Sequence, residues 1–122
     1  MSLEIEVEPS LPFSTTLRLT GRLDNDTAGT FDGELETALE SPVKVLVLDL
    51  AKLEYISSAG ILSILKAQKA MNGRGGKTLF GYLQPGVKKV FDIVKAVDLS
   101  TVFASVEELD GYLDTIQKQL AE

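Results

Sequence analysis

The sequence predicts an α/β domain: a mixed, mostly parallel sheet of four to five strands flanked by four helices. Three observations predict it. Val43 to Leu50 is a nearly unbroken apolar run rich in Val and Leu, the pattern of a strand buried on both faces of a sheet. Around it, segments with the two-residue period of strands alternate with segments at helical spacing in the order β-β-α-β-α-β-α-β-α, which favours parallel pairing with helices over the sheet. The chain has 122 residues, 44% of them hydrophobic, enough for one domain spanning 1–122 to bury a core without disulfides or metals.

Each element has its own warrant. Leu3, Ile5 and Val7 alternate with Glu4, Glu6 and Glu8, as in an edge strand with one solvated face. Pro9 and Pro12 interrupt the chain, and Thr15, Leu17 and Leu19 then alternate with Thr16, Arg18 and Thr20, so the first two strands form a hairpin-like start. A polar connection, Gly21 to Thr27, leads to a helix from about Thr27 to Glu40, marked by Ala28, Phe31, Leu35, Ala38 and Leu39, with Asp26 or Thr27 as its N-cap. The Val43 to Leu50 strand follows, then a helix from near Ser58 to about Met71 with Ile61, Leu62 and Leu65 inward and Ser58, Lys66 and Lys69 outward. The glycines at 73, 75 and 76 end that helix, because glycine readily takes the left-handed conformation at a helix C-terminus. Lys77 to Tyr82 reads as a strand. Val87, Val90, Phe91 and Val94 line a short helix opened by Pro85, and Leu99 to Phe103 reads as a brief fifth strand. Ser105 and Glu108 form a capping box ahead of a last amphipathic helix carrying Leu109, Tyr112, Leu113, Ile116 and Leu120.

Composition excludes more chemistry than any motif adds. With no cysteine and no histidine there is no disulfide, no Cys or His metal site, no cysteine nucleophile and no Ser-His-Asp triad. Gly76-Lys77-Thr78 resembles the end of a phosphate-binding loop, but Met71 stands where that motif needs glycine, and a strand follows where it needs a helix. The expectation is therefore a protein that is not an enzyme and needs no cofactor. A net charge of −6 argues against nucleic acid or an anionic membrane as the main partner. Residues 1–60 carry a net −7 (eleven acids, four bases) and residues 61–122 a net +1 (seven acids, eight bases), so the halves present a partner with different fields. The N-terminus has no basic and apolar leader pattern, and no stretch approaches the roughly 20 apolar residues of a membrane span. A cytoplasmic protein is expected. Exposed edge strands would permit weak dimerisation.

Ser57, Ser58, Ala59 and Gly60 stand between the apolar run and the next helix, so two hydroxyls are delivered to a helix N-terminus. Without a base to activate them, they are either caps, worth about 1 kcal/mol, or receivers of a phosphate, since such a terminus offers free amides and partial positive charge. Asp24 reads as a turn residue or a partner contact, and Lys66 and Lys69 as solvated lysines or partner contacts. Gly60 either flattens a surface for a partner's backbone or suits packing.

The stretch Asp49-Leu50-Ala51-Lys52-Leu53-Glu54-Tyr55-Ile56-Ser57-Ser58-Ala59-Gly60 resembles the signature of STAS domains, the family of bacterial anti-sigma factor antagonists. Gly21-Arg22-Leu23-Asp24 is similar to that family's glycine-x-leucine-aspartate turn, and Pro85-Gly86-Val87 with Phe91 to its fourth-strand-to-helix passage. The resemblance covers nearly the whole chain. It implies a switch in which an anti-sigma factor that is also a serine kinase binds the unmodified antagonist, phosphorylates a serine at the start of the second helix, and lets go; a phosphatase would reverse this. The matching serine is Ser58. Ser57, a second candidate, stands where the family often has aspartate. Other STAS domains serve as scaffolds or subunits of stress-sensing or lipid-transport assemblies, the alternative that the resemblance also implies.

Overall fold

A computed structural model describes residues 3–11, 13–96 and 105–121. In chain order the elements are β1 (Leu3–Leu11), β2 (Ser14–Leu23), α1 (Ala28–Ala38), β3 (Val45–Ile56), α2 (Ser58–Gly73), β4 (Lys77–Gly81), α3 (Pro85–Ala96) and α4 (Val106–Ala121). The expected strand at Leu99 to Phe103 lies outside the described residues. The described strands form one sheet in the order β1-β2-β3-β4. β1 is antiparallel to β2, while β2 with β3 and β3 with β4 are parallel, so the sheet is mixed and mostly parallel as expected.

The alternating residues of β2 and β3 decide which face is covered. Leu17, Leu19, Leu46, Leu48 and Leu50 are fully buried or nearly so, whereas Thr16, Arg18, Val45, Val47 and Asp49 between them are only half-buried. The central strand is thus buried on one face, not on both as its composition suggested. Valines on the open face make the run look continuous although its two sides differ. On that open face Arg18 reaches Glu8 at 2.6 Å and Asp49 at 3.4 Å, tying β1, β2 and β3 together by charge. On the covered face, Phe31 of α1, Ile61, Ile64, Ala67 and Met71 of α2, Val87 and Val90 of α3, and Leu113 of α4 join the strand leucines in one hydrophobic cluster.

β3 runs six residues past Leu50, where its simple alternation ends. Arg18 pairs with Asp49 but Thr20 with Lys52, and Gly21 pairs with Leu53 but Arg22 with Tyr55, so β3 gains one extra residue at each of two bulges. A bulge shifts the phase of the side chains, which is why Leu53 and Ile56 are buried three residues apart. Asp49 therefore lies within the strand and not at its end. The two bulges carry the strand to Ile56 and place Ser57 and Ser58 at the N-terminus of α2.

Candidate functional site

The site is built where β3 hands over to α2. Ser57 is extended, with φ −98° and ψ 179°, and acts as the N-cap: its Oγ accepts from the Gly60 amide at 3.3 Å, and its carbonyl accepts from Ile61 N at 2.9 Å. Its own amide donates to the Leu23 carbonyl at 2.9 Å, which extends the β2–β3 pairing by one residue. Ser58 is the first residue of α2, and its amide donates at 2.9 Å to Asp110 Oδ1, a carboxylate arriving from α4. Ser58 is only 8% exposed, so it does not face outward as the helical spacing suggested.

α4 grips the strand end as well. Gln117, buried, accepts from Ile56 N through Oε1 at 2.9 Å and donates from Nε2 to Ile56 O at 2.8 Å and to Leu113 O at 3.1 Å. A single side-chain amide thus supplies the donor and acceptor that a neighbouring strand would have given Ile56. Neither Asp110 nor Gln117 was singled out by sequence reasoning, because their partners lie 52 and 61 residues away. One signal existed for Gln117: it sits four residues after Leu113, a polar side chain on the apolar stripe of an amphipathic helix.

The remaining predicted residues fall into two groups. Asp24 shapes the turn before α1. Its Oδ1 accepts from the amides of Asp26 at 3.0 Å and Thr27 at 3.2 Å, and Oδ2 lies 3.5 Å from Arg22 Nε, close enough for an ion pair but long for a hydrogen bond. Thr27 is the N-cap of α1, but its hydroxyl donates to the Arg22 carbonyl at 2.8 Å rather than capping the helix amides. Gly60 is buried against β2: a Cβ there would stand 2.6 Å from the Leu23 carbonyl oxygen. Lys66 and Lys69 lie exposed on the other side of α2, with Lys66 Nζ 3.7 Å from Asp32 of α1. They share a shallow groove between α1 and α2 with Ala59, Leu62 and Leu65. Leu62 and Leu65, expected inside, are 60% and 42% exposed; Ser63, Ile64 and Ala67 take the inner stripe.

Beside the serines, the Arg22 guanidinium lies 3.9 Å from the centre of the Tyr55 ring. Burial, followed by the negative charge of Asp114, raises the Tyr55 pKa above the ordinary tyrosine value, and Arg22 opposes this. A separate apolar cleft of about 650 Å³ lies between α2, β4 and α3, lined by Ile64, Leu79, Phe80 and Phe91 among others. Neither serine lines it. Among the described residues no cluster of acids has the arrangement to hold a metal ion, and no helix is long and apolar enough to cross a membrane.

Residues 2–109 match the STAS domain family. The chain belongs to that family. Two curated relatives of this STAS domain are anti-sigma factor antagonists. One, the putative antagonist BtrV of Bordetella bronchiseptica, is 33% identical over 75 residues, which cover 62% of this chain and 65% of the relative. The other, the anti-sigma F factor antagonist of Paenibacillus polymyxa, is 29% identical over 94 residues, covering 76% and 80%. The chain thus spans about two thirds of the first relative's length and four fifths of the second's. Solved structures of the anti-sigma factor antagonist SpoIIAA superpose with a TM-score of 0.64 at 21% identity: the unphosphorylated form over 74% of this chain and 83% of that one, and the Bacillus phosphorylated form over 75% and 83%. At that identity they establish the shared fold.

Proposed function

We propose that this STAS domain is a switchable anti-sigma factor antagonist: unmodified, it binds an anti-sigma factor that is also a serine kinase, and a phosphate on Ser58 ends the binding. The observation that carries the choice of serine is the division of labour at the α2 N-terminus. Ser57 Oγ is engaged as the N-cap of Gly60, whereas the hydroxyl of Ser58 takes no part in capping its own helix. In the transfer, the γ-phosphoryl group of ATP passes to Ser58 Oγ, the bond to the leaving ADP breaks, and the serine proton goes to a base of the kinase. The added group carries about −1.5 to −2 charges, at a helix end that favours anions. The added charge changes what the partner meets at that helix end. A phosphatase that removes the group restores binding.

In this reading the partner lies over Asp24, the rim of Ser58 and the groove of Leu62, Leu65, Lys66 and Lys69. Gly60 sets how closely α2 sits on β2, and so the height at which Ser58 is presented. The protein binds and is modified without being an enzyme itself, and it works in the cytoplasm. That relatives carry the antagonist name, and that SpoIIAA exists in both phosphorylation states, supports the reading. The alternative, a STAS scaffold whose interface works without phosphorylation, is favoured by one observation, the 8% exposure of Ser58.

The test is direct. The protein is incubated with a candidate kinase and ATP, phosphate is mapped by mass spectrometry, and kinase binding is measured for wild type, Ser58→Ala and Ser58→Asp. The switch predicts phosphate on Ser58 and weakened binding of Ser58→Asp. No phosphate on either serine, with Ser58→Asp binding as well as wild type, sinks it in favour of the scaffold.

A further inference from the structure

We propose that α4 is a two-ended latch on the switch, in which the N-terminal half docks through Asp110 and opens when Ser58 is phosphorylated, while the Gln117 end stays seated. The proposal rests on Ser58 as the phosphoacceptor. Its first support is a competition for one place. Asp110 Oδ1 takes the Ser58 amide at 2.9 Å, and a phosphate would hang from the side chain of that same residue. A carboxylate that already holds the Ser58 amide and a phosphate on the same residue would then crowd one helix end, and like charges in close approach repel strongly away from bulk water. Asp114, one turn further along α4, also acts on the neighbouring Tyr55, with Lys118 Nζ 3.1 Å from its Oδ2 offsetting part of that charge.

The second support is that the two ends of α4 differ in kind. At the Gln117 end the contact is a neutral amide bonded to both backbone groups of Ile56, which a phosphate does not repel. Leu113 is fully buried there, and Gly86 of α3 packs so closely that a Cβ on it would lie 3.3 Å from Gln117 Cα. At the other end the half-buried Leu109 packs on the core, and beside it stands the carboxylate of Asp110, followed at once by Gly111. That glycine is exposed and has nothing within 4 Å of where its Cβ would be, so packing does not require it. Glycine inside a helix weakens it relative to alanine. The weak point of α4 therefore adjoins the one contact that phosphate would expel.

The consequence is a change of shape and not only of charge. An opened first half of α4 uncovers the start of α2, which Asp110 holds in the unmodified protein, while the end of β3 stays covered by the seated Gln117. Phosphorylation then alters what a partner meets on two elements at once.

The experiment uses the full chain with phosphoserine incorporated at position 58 during synthesis, compared with the unmodified chain by residue-resolved amide hydrogen exchange. The expected result is exchange at amides 110–114 faster by on the order of tenfold, a typical coupling between two sites, with amides 116–119 unchanged. Asp110→Asn retains an oxygen for the Ser58 amide and removes the charge, so in that variant the phosphate should accelerate exchange far less. Gly111→Ala should slow the opening in both forms. Equal protection with and without phosphate overturns the latch, as does an undiminished phosphate effect in Asp110→Asn. Equal acceleration along all of α4 overturns its division into two ends. Because the phosphate is installed without a kinase, these outcomes do not bear on whether a kinase chooses Ser58, which the mapping experiment decides separately.

Discussion

A methyl group on Gly60 would stand 2.6 Å from the Leu23 carbonyl oxygen, 2.8 Å from Ile56 Cγ1 and 2.9 Å from Leu23 Cγ. One of these atoms is backbone within the β2–β3 pairing and cannot move cheaply, so α2 would have to lift. Overpacking of this kind costs about 1–3 kcal/mol, and the roughly 1 kcal/mol that alanine gains over glycine as a helix former offsets only part of it. Gly60→Ala should therefore lower the urea midpoint; a variant as stable as wild type would show that α2 has room to spare. Tyr55 supports a second prediction, in pH. Its folded pKa is raised, first by burial and then by Asp114, so the folded state holds the phenolic proton more tightly than the unfolded chain does. The stability linked to this group is fully present below the unfolded value of about 10 and is lost as pH rises through the folded pKa. Tyr55→Phe removes the titrating group, so the fall in stability above about pH 10 should be shallower in the variant. Parallel pH profiles for the two proteins would contradict the burial assigned to the ring.

At the scale of elements, α4 completes the end of β3 on the side away from β2, where β4 pairing stops at Asp49. Gln117 alone satisfies both Ile56 N and Ile56 O, and each buried group left without a partner costs about 1–3 kcal/mol. Gln117→Ala should thus destabilise by about 2–4 kcal/mol in chemical unfolding, well beyond an ordinary surface change; a loss under about 0.5 kcal/mol would mean that water replaces the side chain freely. The same element shows what sequence could and could not reveal. The hairpin, the central strand, the glycine stop of α2 and the Ser105 cap of α4, whose Oγ accepts from Glu108 N at 3.1 Å, follow from local periodicity and local chemistry, and all are present. The serines were also found, because they interrupt an apolar pattern. The end of β3 was not legible, since two bulges break the period-two rule there. Nor was the inner stripe of α2: apolar residues at 61, 62, 64 and 65 occupy both sides of the helix, and small residues such as Ser58 and Ser63 turn out to be the ones that fit beneath it. Asp110 reaches the site through tertiary folding alone.

At the scale of the whole molecule, the question is what the fold leaves uncovered. Among the described residues one buried cluster joins β2, β3 and the four helices, with further half-buried apolar side chains packed against it. Leu62 and Leu65 are excluded from it although they lie on a helix at its centre, and they stand beside two lysines on a protein whose net charge is −6. An apolar pair rimmed by charge opposite to that of the molecule as a whole is suited to a partner with an apolar anchor and acidic surroundings, and such a patch contributes little to folding. The two roles can be separated. Leu62→Ala truncates a side chain that is 60% exposed, so its unfolding free energy should stay within about 0.5 kcal/mol of wild type. If the groove receives the anti-sigma kinase, the same variant should bind that kinase more weakly by about 1 kcal/mol or more, the loss expected when an interface residue of real energetic weight is truncated. Calorimetric titration of the kinase with wild type and Leu62→Ala, beside urea unfolding of both, measures the two quantities independently. Unchanged binding with unchanged stability would move the interface off this face of α2; weaker binding with unchanged stability would place a partner's anchor within the groove lined by Ala59, Leu62 and Leu65.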